Sequence, residues 1–306
     1  MHLYKIPPQG QGFCGSVWAA EGGTMAMKRE DGGPGRSLRN DYNMHKLVLE
    51  TASHYTVFNV CVPRWPNFVK TDERWWDMNL ARFPVDYTPC NVLCAERIPP
   101  LSQEVRYRLI DRYCPPASAA TIKANDADRD CLVRPYLGRR KIQSEARRGR
   151  NFFSLRNYPL HLNQAEDLGL PIVEYAHAMA EMLAVLHRIA KIDANDIDHD
   201  FMGTHSLWVL DFDCCKPLTM DDAGIDQAAS ALLRNDPYYP RPSSSASTSS
   251  PDGTLWAEFQ TTYLEYSKNI ITGQDVAYLN LPERFIARVS DMHEHGEGRK
   301  LPGSES

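Results

Sequence analysis

Three glycines near the start of the chain, Gly10, Gly12 and Gly15, stand with Val17 in the spacing G-x-G-x-x-G-x-V within "QGQGFCGSVWA". Glycines so spaced let a turn between two antiparallel strands bring its backbone close to phosphate oxygens. Lys28 follows in "AMK", where a strand lysine would pair nucleotide phosphates, and Asp41 follows on a helical segment from which a carboxylate can hold that lysine. The glycines alone would serve any tight hairpin, and Lys28 alone would be an ordinary surface lysine. The order of loop, lysine and helical acid is the more specific signal. Cys14 and Ser16, inside the loop, are candidate nucleophiles with no base visible beside them.

The second half carries a matching piece. A helix ending in "LHR" is followed by "IAKIDANDIDHDF" and then by "LWVLDFD", the order of a catalytic loop and a metal-binding strand end. Asp211 occupies the place of the acid in Asp-Phe-Gly. The loop departs from His-Arg-Asp with its downstream Asn: Asp193, Asn195, Asp196, Asp198 and Asp200 are available, but no alignment gives both a catalytic Asp and a metal-binding Asn. From Asp193 to Asp226 there are nine aspartates and one basic residue, Lys216, a formal local charge of −8. Such a cluster attracts magnesium or a guanidinium held by paired carboxylates, unless it is only a solvated acidic loop. Asp211 and Asp213 depart from that bland reading because they end an apolar strand.

The opposite charge is concentrated in "RPYLGRRKIQSEARRGRNFFSLR". There Arg134, Arg139, Arg140, Lys141, Arg147, Arg148, Arg150 and Arg156 face one acid, Glu145, for a local charge of +7. With Tyr136, Phe152 and Phe153 interleaved, the stripe suits a phosphate backbone and stacked bases, or else a solvated loop or an internal contact to the acidic segment.

The whole chain sets bounds. Its 306 residues, 42% hydrophobic, can fill a core, and a formal charge of −5 gives no overall attraction for nucleic acid or anionic membrane. No run approaches a membrane span and "MHLYKIPPQG" is not a secretion signal, so the expectation is an intracellular, cytoplasmic protein with no membrane partner. Eight cysteines, at 14, 61, 90, 94, 114, 131, 214 and 215, are irregularly placed, predicting reduced thiols and no structural zinc.

These residues need elements to position them. "GSVWAA", "TMAMK", "FVK" and "NVLCAERI" read as strands separated by glycine clusters, with the helix "SLRNDYNMHKLVLETA" between them placing Leu38, Tyr42, His45 and Val48 on one face. From about residue 101 the texture is helical: "LSQEVRYRLIDRYC", then "VEYAHAMAEMLAVLHR" with Ala176, Met179, Leu183 and Leu186 as a core stripe. "LWVLDFD" reads as a buried strand and "LWAEFQTTYLEYSK" as a further helix. The Ser/Pro-rich stretch 235–254 predicts a disordered insertion, and "EHGEGRKLPGSES" a frayed tail.

The segments "NDYNMH", "AERIPPL", "LIDRYCP", "DCLVRPYLGRR", "FFSLRNYPL", "AHAMAEMLAVLH", "DANDID" and "LWVLDFD", in this order, resemble a fungal family of kinase-like proteins often labelled zinc-finger-like. The resemblance runs from about Gly10 to Lys216. Some of that family are arginine-containing cyclodipeptide synthases, which condense arginyl-tRNA with a second aminoacyl-tRNA into a diketopiperazine. The resemblance implies an α+β, bilobal protein-kinase-like fold: a strand-rich N-lobe over 1–98, a helical C-lobe over 99–292 containing the insertion, and a tail over 293–306. It also implies tRNA as the partner, bound by the basic stripe, with no cofactor and no obligate protein partner. Lys28, Asp41, Asp196 and Asp211 would then be catalytic, and Gly12, Cys14, Gly15, Glu96, Asp193 and Asp213 would contact substrate. Two other readings stay open. One is a phosphotransferase using ATP and magnesium, with Lys28 on the phosphates, Asp211 on the metal and Asp196 as base; the other is a kinase-shaped pseudoenzyme that only binds a partner.

Overall fold

In a computed structural model the short apolar runs near the N-terminus pair into strands. The structure describes residues 3–6, 15–30, 38–55, 57, 60–142, 153–201, 206–235, 237–242, 250–270 and 279–297. Strands β1 (Leu3–Ile6), β2 (Val17–Ala20), β3 (Met25–Arg29), β4 (Val60–Cys61), β5 (Asn67–Val69) and β6 (Val92–Glu96) lie within the first hundred residues. Five of them form an antiparallel sheet in the order β1-β2-β3-β6-β5. The "EGG" turn between β2 and β3 works because Gly22 takes a φ of 65°, which lets the Gly23 N–H donate to the Ala20 carbonyl at 2.9 Å. One face of this sheet carries Trp18, Met27, Val69 and Val92, packed with Trp76 and Phe83. The Arg29 guanidinium is buried in this cluster 4.7 to 5.3 Å from the rings of Trp76, Phe83 and Tyr87, and donates to the Thr88 carbonyl.

Helix α1 (Leu38–Ala52) follows β3 and packs near β5, β6 and the chain around residue 186. Its buried residues are Leu38, Asp41, His45 and Val48. The sequence period predicts Tyr42 in that set, and Asp41 takes its place because an ion pair described below draws the carboxylate inward. Helix α2 (Trp75–Asn79) precedes β6.

The remainder is mostly helical: α3 (Gln103–Tyr113), α4 (Pro116–Lys123), β7 (Val133–Tyr136), β8 (Tyr158–His161), α5 (Leu162–Asp167), α6 (Ile172–Val185), β9 (Asp198–Phe201), β10 (Leu207–Leu210), α7 (Asp222–Arg234), α8 (Pro251–Asn269) and α9 (Leu281–Glu294). Ser102 caps α3 by accepting the Val105 N–H, and Ser250 caps α8 by accepting the Gly253 N–H. The second sheet is mixed, in the order β4-β10-β9-β7-β8. Because β4 pairs parallel with β10, the first 98 residues supply a strand to the second sheet as well as the whole of the first.

Helix α6 is the centre of the larger core. Ala176, Met179, Leu183 and Leu186 are all buried as their spacing predicts, but so are Ala180, Ala184 and Val185, so the helix is covered nearly all round rather than along one stripe. It continues into a π-helical turn over Leu186–Ala190, which ends at Lys191 with a φ of 52°. Among the described residues, no helix is long and apolar enough to cross a membrane.

The stretch 235–254 departs from the expected disorder at both ends. Tyr238 and Tyr239 are each 1% exposed, and the carbonyls of Tyr238 and Pro237 accept from Leu137 and Gly138. A serine- and proline-rich composition hides two tyrosines that bury enough ring to order the chain, while at the other end Pro251 fits the first turn of α8. Residues 236 and 243–249, and the tail beyond 297, lie outside the described residues.

Candidate active site

β3 carries Lys28 toward α1 and toward the segment after β10. Its ammonium donates to Asp41 Oδ2 at 2.6 Å and to Asp211 Oδ1 at 2.5 Å. Burial opposes that charge, but the carboxylates of Asp211, Asp41 and Asp213 outweigh it and hold the ammonium well above its ordinary pKa. The second oxygen of Asp41 accepts the Phe212 N–H at 3.1 Å, so one helical carboxylate fixes both the lysine and the strand end. Asn40, its neighbour, donates to the carbonyls of Asp213 and Cys215 at 2.8 and 3.0 Å. Two adjacent α1 residues therefore clamp the segment 211–215. One asparagine in a helix carries no pattern, so the sequence does not mark Asn40.

The backbone around these acids is strained. Asp211, Asp196, Ala194 and Lys191 all have left-handed φ values, at 66°, 60°, 52° and 52°. Non-glycine residues rarely adopt this region, and clusters of them gather at functional sites. What holds the loop is visible. Asp193 is buried, and its Oδ1 accepts from the N–H groups of Asn195 and Lys216 while its Oδ2 accepts from Gln227. Asn235 accepts the Asp196 N–H at 2.6 Å and donates to the Ala194 carbonyl. Both Asp193 oxygens are thus engaged within the chain, whereas Asp196 is exposed. Asn195 donates to the Cys214 carbonyl at 3.3 Å.

Asp196, Asp213 and Cys214 offer ligand atoms that all lie within 4.8 Å of one another. Asp213 is 8% exposed, and its charge also acts on Lys28, which links this group to the Lys28 bridge. The next thiol, Cys215, is buried, which pushes its pKa well above the ordinary value. Gly15 is described, with a φ of 139° at the entry to β2; Gly12 and Cys14 lie outside the described residues. Glu96, at the end of β6, forms a bidentate pair with Arg64, which holds its carboxyl below the usual range.

The basic stripe is divided. Arg139 and Lys141 are exposed after β7, Arg134 and Arg156 are half-buried, and Arg147, Arg148 and Arg150 lie outside the described residues. The Arg140 fork is occupied by Glu166 and Asp252, with four of its contacts at 2.6 to 2.8 Å, so this side chain ties β7 to α5 and α8. Phe153 is not the expected stacking platform: it is buried against Tyr158, and the Tyr136 ring packs edge-on against Tyr238. Spacing alone cannot distinguish an interleaved aromatic that faces solvent from one that anchors the loop.

Comparison with known families touches the strand that ends in these acids. Residues 207–275 match DUF3669, a family described as zinc finger protein. The match covers β10, α7 and α8, and so includes Asp211, Asp213, Cys214 and Cys215. No curated protein and no solved structure matches the chain. The zinc of the description does not fit the residues: among those described the cysteines are free thiols, and the one group of three candidate ligands combines two carboxylates with a single thiol. A structural zinc needs four ligands drawn mainly from Cys and His.

Proposed function

We propose that the protein is an aminoacyl-tRNA-dependent cyclodipeptide synthase with an arginyl group as one substrate, on a bilobal kinase-like fold. The observation that carries this reading is the charge of the cleft. Among the described residues, Lys28 is paired with Asp41 and Asp211 and feels the charge of Asp213, which in turn lies near Asp196, so the site is acidic and suits a guanidinium or an ammonium better than a naked phosphate. The fold proposal rests on the antiparallel sheet with α1 inserted after β3, and on Lys28 bridging that helix to the acid that follows β10.

The chemistry is balanced without a nucleotide. The α-amine of one aminoacyl ester attacks the carbonyl of the other, an amide C–N bond forms, the ester C–O bond breaks, and the amine's proton leaves on the ribose oxygen of the released tRNA. A second such attack closes the ring and frees the second tRNA. In this scheme Asp213 and Asp196 take the guanidinium, half-exposed Asp211 takes the amine proton, and the Lys28 ammonium faces the oxyanion that develops at the attacked carbonyl. Asp41 positions the lysine, and Asp193 braces the loop that presents Asp196. Exposed Arg139 and Lys141 are available to a tRNA backbone.

The Lys28 bridge itself favours a second reading, a phosphotransferase with ATP phosphates on Lys28 and magnesium on Asp211. Two measurements separate them. Incubation with arginyl-tRNA and a panel of second aminoacyl-tRNAs yields a cyclic dipeptide under the first reading, and its absence across the panel sinks that reading. A thermal shift with ATP and magnesium that vanishes in Lys28→Ala supports the second.

A further inference from the structure

The π-helical turn after α6 buries two basic residues that the acidic site does not use. His187 is 4% exposed and Arg188 is 6% exposed. His187 Nδ1 lies 3.0 Å from the Tyr263 hydroxyl and its ring stands edge-on to Phe285, while its Nε2 has no partner. Burial, with the charge of Arg188 beside it, pushes His187 down to about 3, so it stays neutral. Arg188 cannot neutralise in this way. Its Nε is buried without a partner, and among the described residues no carboxylate stands within ion-pair distance of its guanidinium. An unpaired buried charge is costly, and the carbonyl end of the preceding helix offsets only a fraction of it.

Both residues line a shallow depression that opens to solvent. Residues of the first turns of α7, a helix of thirteen residues, also line it. Asp221 also lines this pocket, but its carboxylate is turned to its own helix, accepting from the Gly224 N–H at 3.0 Å and the Thr219 hydroxyl at 2.7 Å. Most of the remaining wall is apolar, supplied by Leu218, Ile225, Ala228, Leu281 and Phe285, with Thr219 and Tyr263 beside them. A buried guanidinium in the wall of an apolar pocket is a receptor for an anionic group carried on an apolar body.

We propose that this pocket binds a small organic carboxylate, its acid group on Arg188 and its apolar body against Leu218, Ile225 and Phe285. The carboxylate is favoured over a phosphate because a planar, singly charged group matches one guanidinium fork and the wall offers few other donors. The site is separate from the Lys28 cleft, so its fate is independent of the synthase reading.

The test uses the full chain with hexanoate and benzoate, and with hexanol and inorganic phosphate as controls, read by thermal shift and calorimetry. The acids are expected to raise Tm in a dose-dependent way and to bind at least tenfold more tightly than hexanol. Arg188→Met should lose that response while its own Tm equals or exceeds wild type, because an unpaired charge has been replaced by an apolar chain of similar length. A merely structural arginine would instead give a variant of lower Tm, and that result, or equal responses in wild type and variant, overturns the proposal. So does a wild type that responds to neither acid, or to phosphate alone. If Arg188→Met does not fold, Ile225→Trp, which fills the pocket from its rim, should fold and lose the response; a retained response overturns the proposal.

Discussion

At the scale of residues, the decisive contact is the Lys28 ammonium between Asp41 and Asp211. Asp41 is almost wholly buried, with a side chain 3% exposed, so Lys28→Met leaves a carboxylate inside the protein without its cation. The expected loss is about 3 kcal/mol in chemical denaturation, and adding Asp41→Asn should restore a large part of it. The folded state raises the lysine pKa above its ordinary 10.5, so its stabilisation is fully present below that pH and is lost as pH rises through the folded value. The difference between wild type and Lys28→Met should therefore be constant through neutral pH and change only above 10.5. A gap that closes already between pH 6 and 9 would show that the bridge is not what stabilises.

Lys28, Asp41 and Asp211 were legible in the sequence because their order along the chain mirrors the path of strand, helix and strand end. The residues that hold them were not. Asn40, Gln227 and Asn235 act through single hydrogen bonds to backbone or to a carboxylate, and a polar side chain with one partner leaves no periodic trace.

At the scale of elements, α1 acts as a clamp on the segment after β10. Asn40→Ala frees two carbonyls, those of Asp213 and Cys215, and should cost about 1 to 2 kcal/mol. Its sharper signature is local: amide exchange over 212–216 should accelerate while the amides of α6 stay protected. Uniform acceleration across the molecule would mean that the clamp is part of global stability alone. The strands and helices themselves follow from alternation and 3.6-residue spacing, which is why β2, β3, β6, β10, α1, α3, α6 and α8 arise where the patterns lie. Composition misled at 235–254, where Tyr238 and Tyr239 outweigh the serines and prolines around them. It also misled at Phe153, which lies between Arg150 and Arg156 in sequence but packs among apolar residues in space.

At the scale of the whole molecule, two neutral histidines make the fold sensitive to acid. Burial pushes both His187 and His199 down to about 3, against 6.5 in the unfolded chain. Between those values the unfolded chain binds protons that the fold does not, so stability falls as pH falls through the window. Each histidine contributes up to about 1.4 kcal/mol per pH unit. His199→Gln, which keeps a polar group within reach of Tyr239, should give a shallower decline between pH 6 and 4 in urea unfolding; an unchanged slope would contradict this assignment.

The molecule also separates its charges: acids converge where β10 ends and meet Lys28, while exposed bases follow β7. The synthase reading requires both regions to act on one substrate, an arginyl group carried by a polyanion. The most direct measurement is mass spectrometry of the small molecules made when the chain is expressed in a host that supplies charged tRNAs. An arginine-containing diketopiperazine in wild type, absent in Lys28→Met variants that still fold, is the predicted result. Well-expressed, folded wild-type protein with no such product would contradict the account.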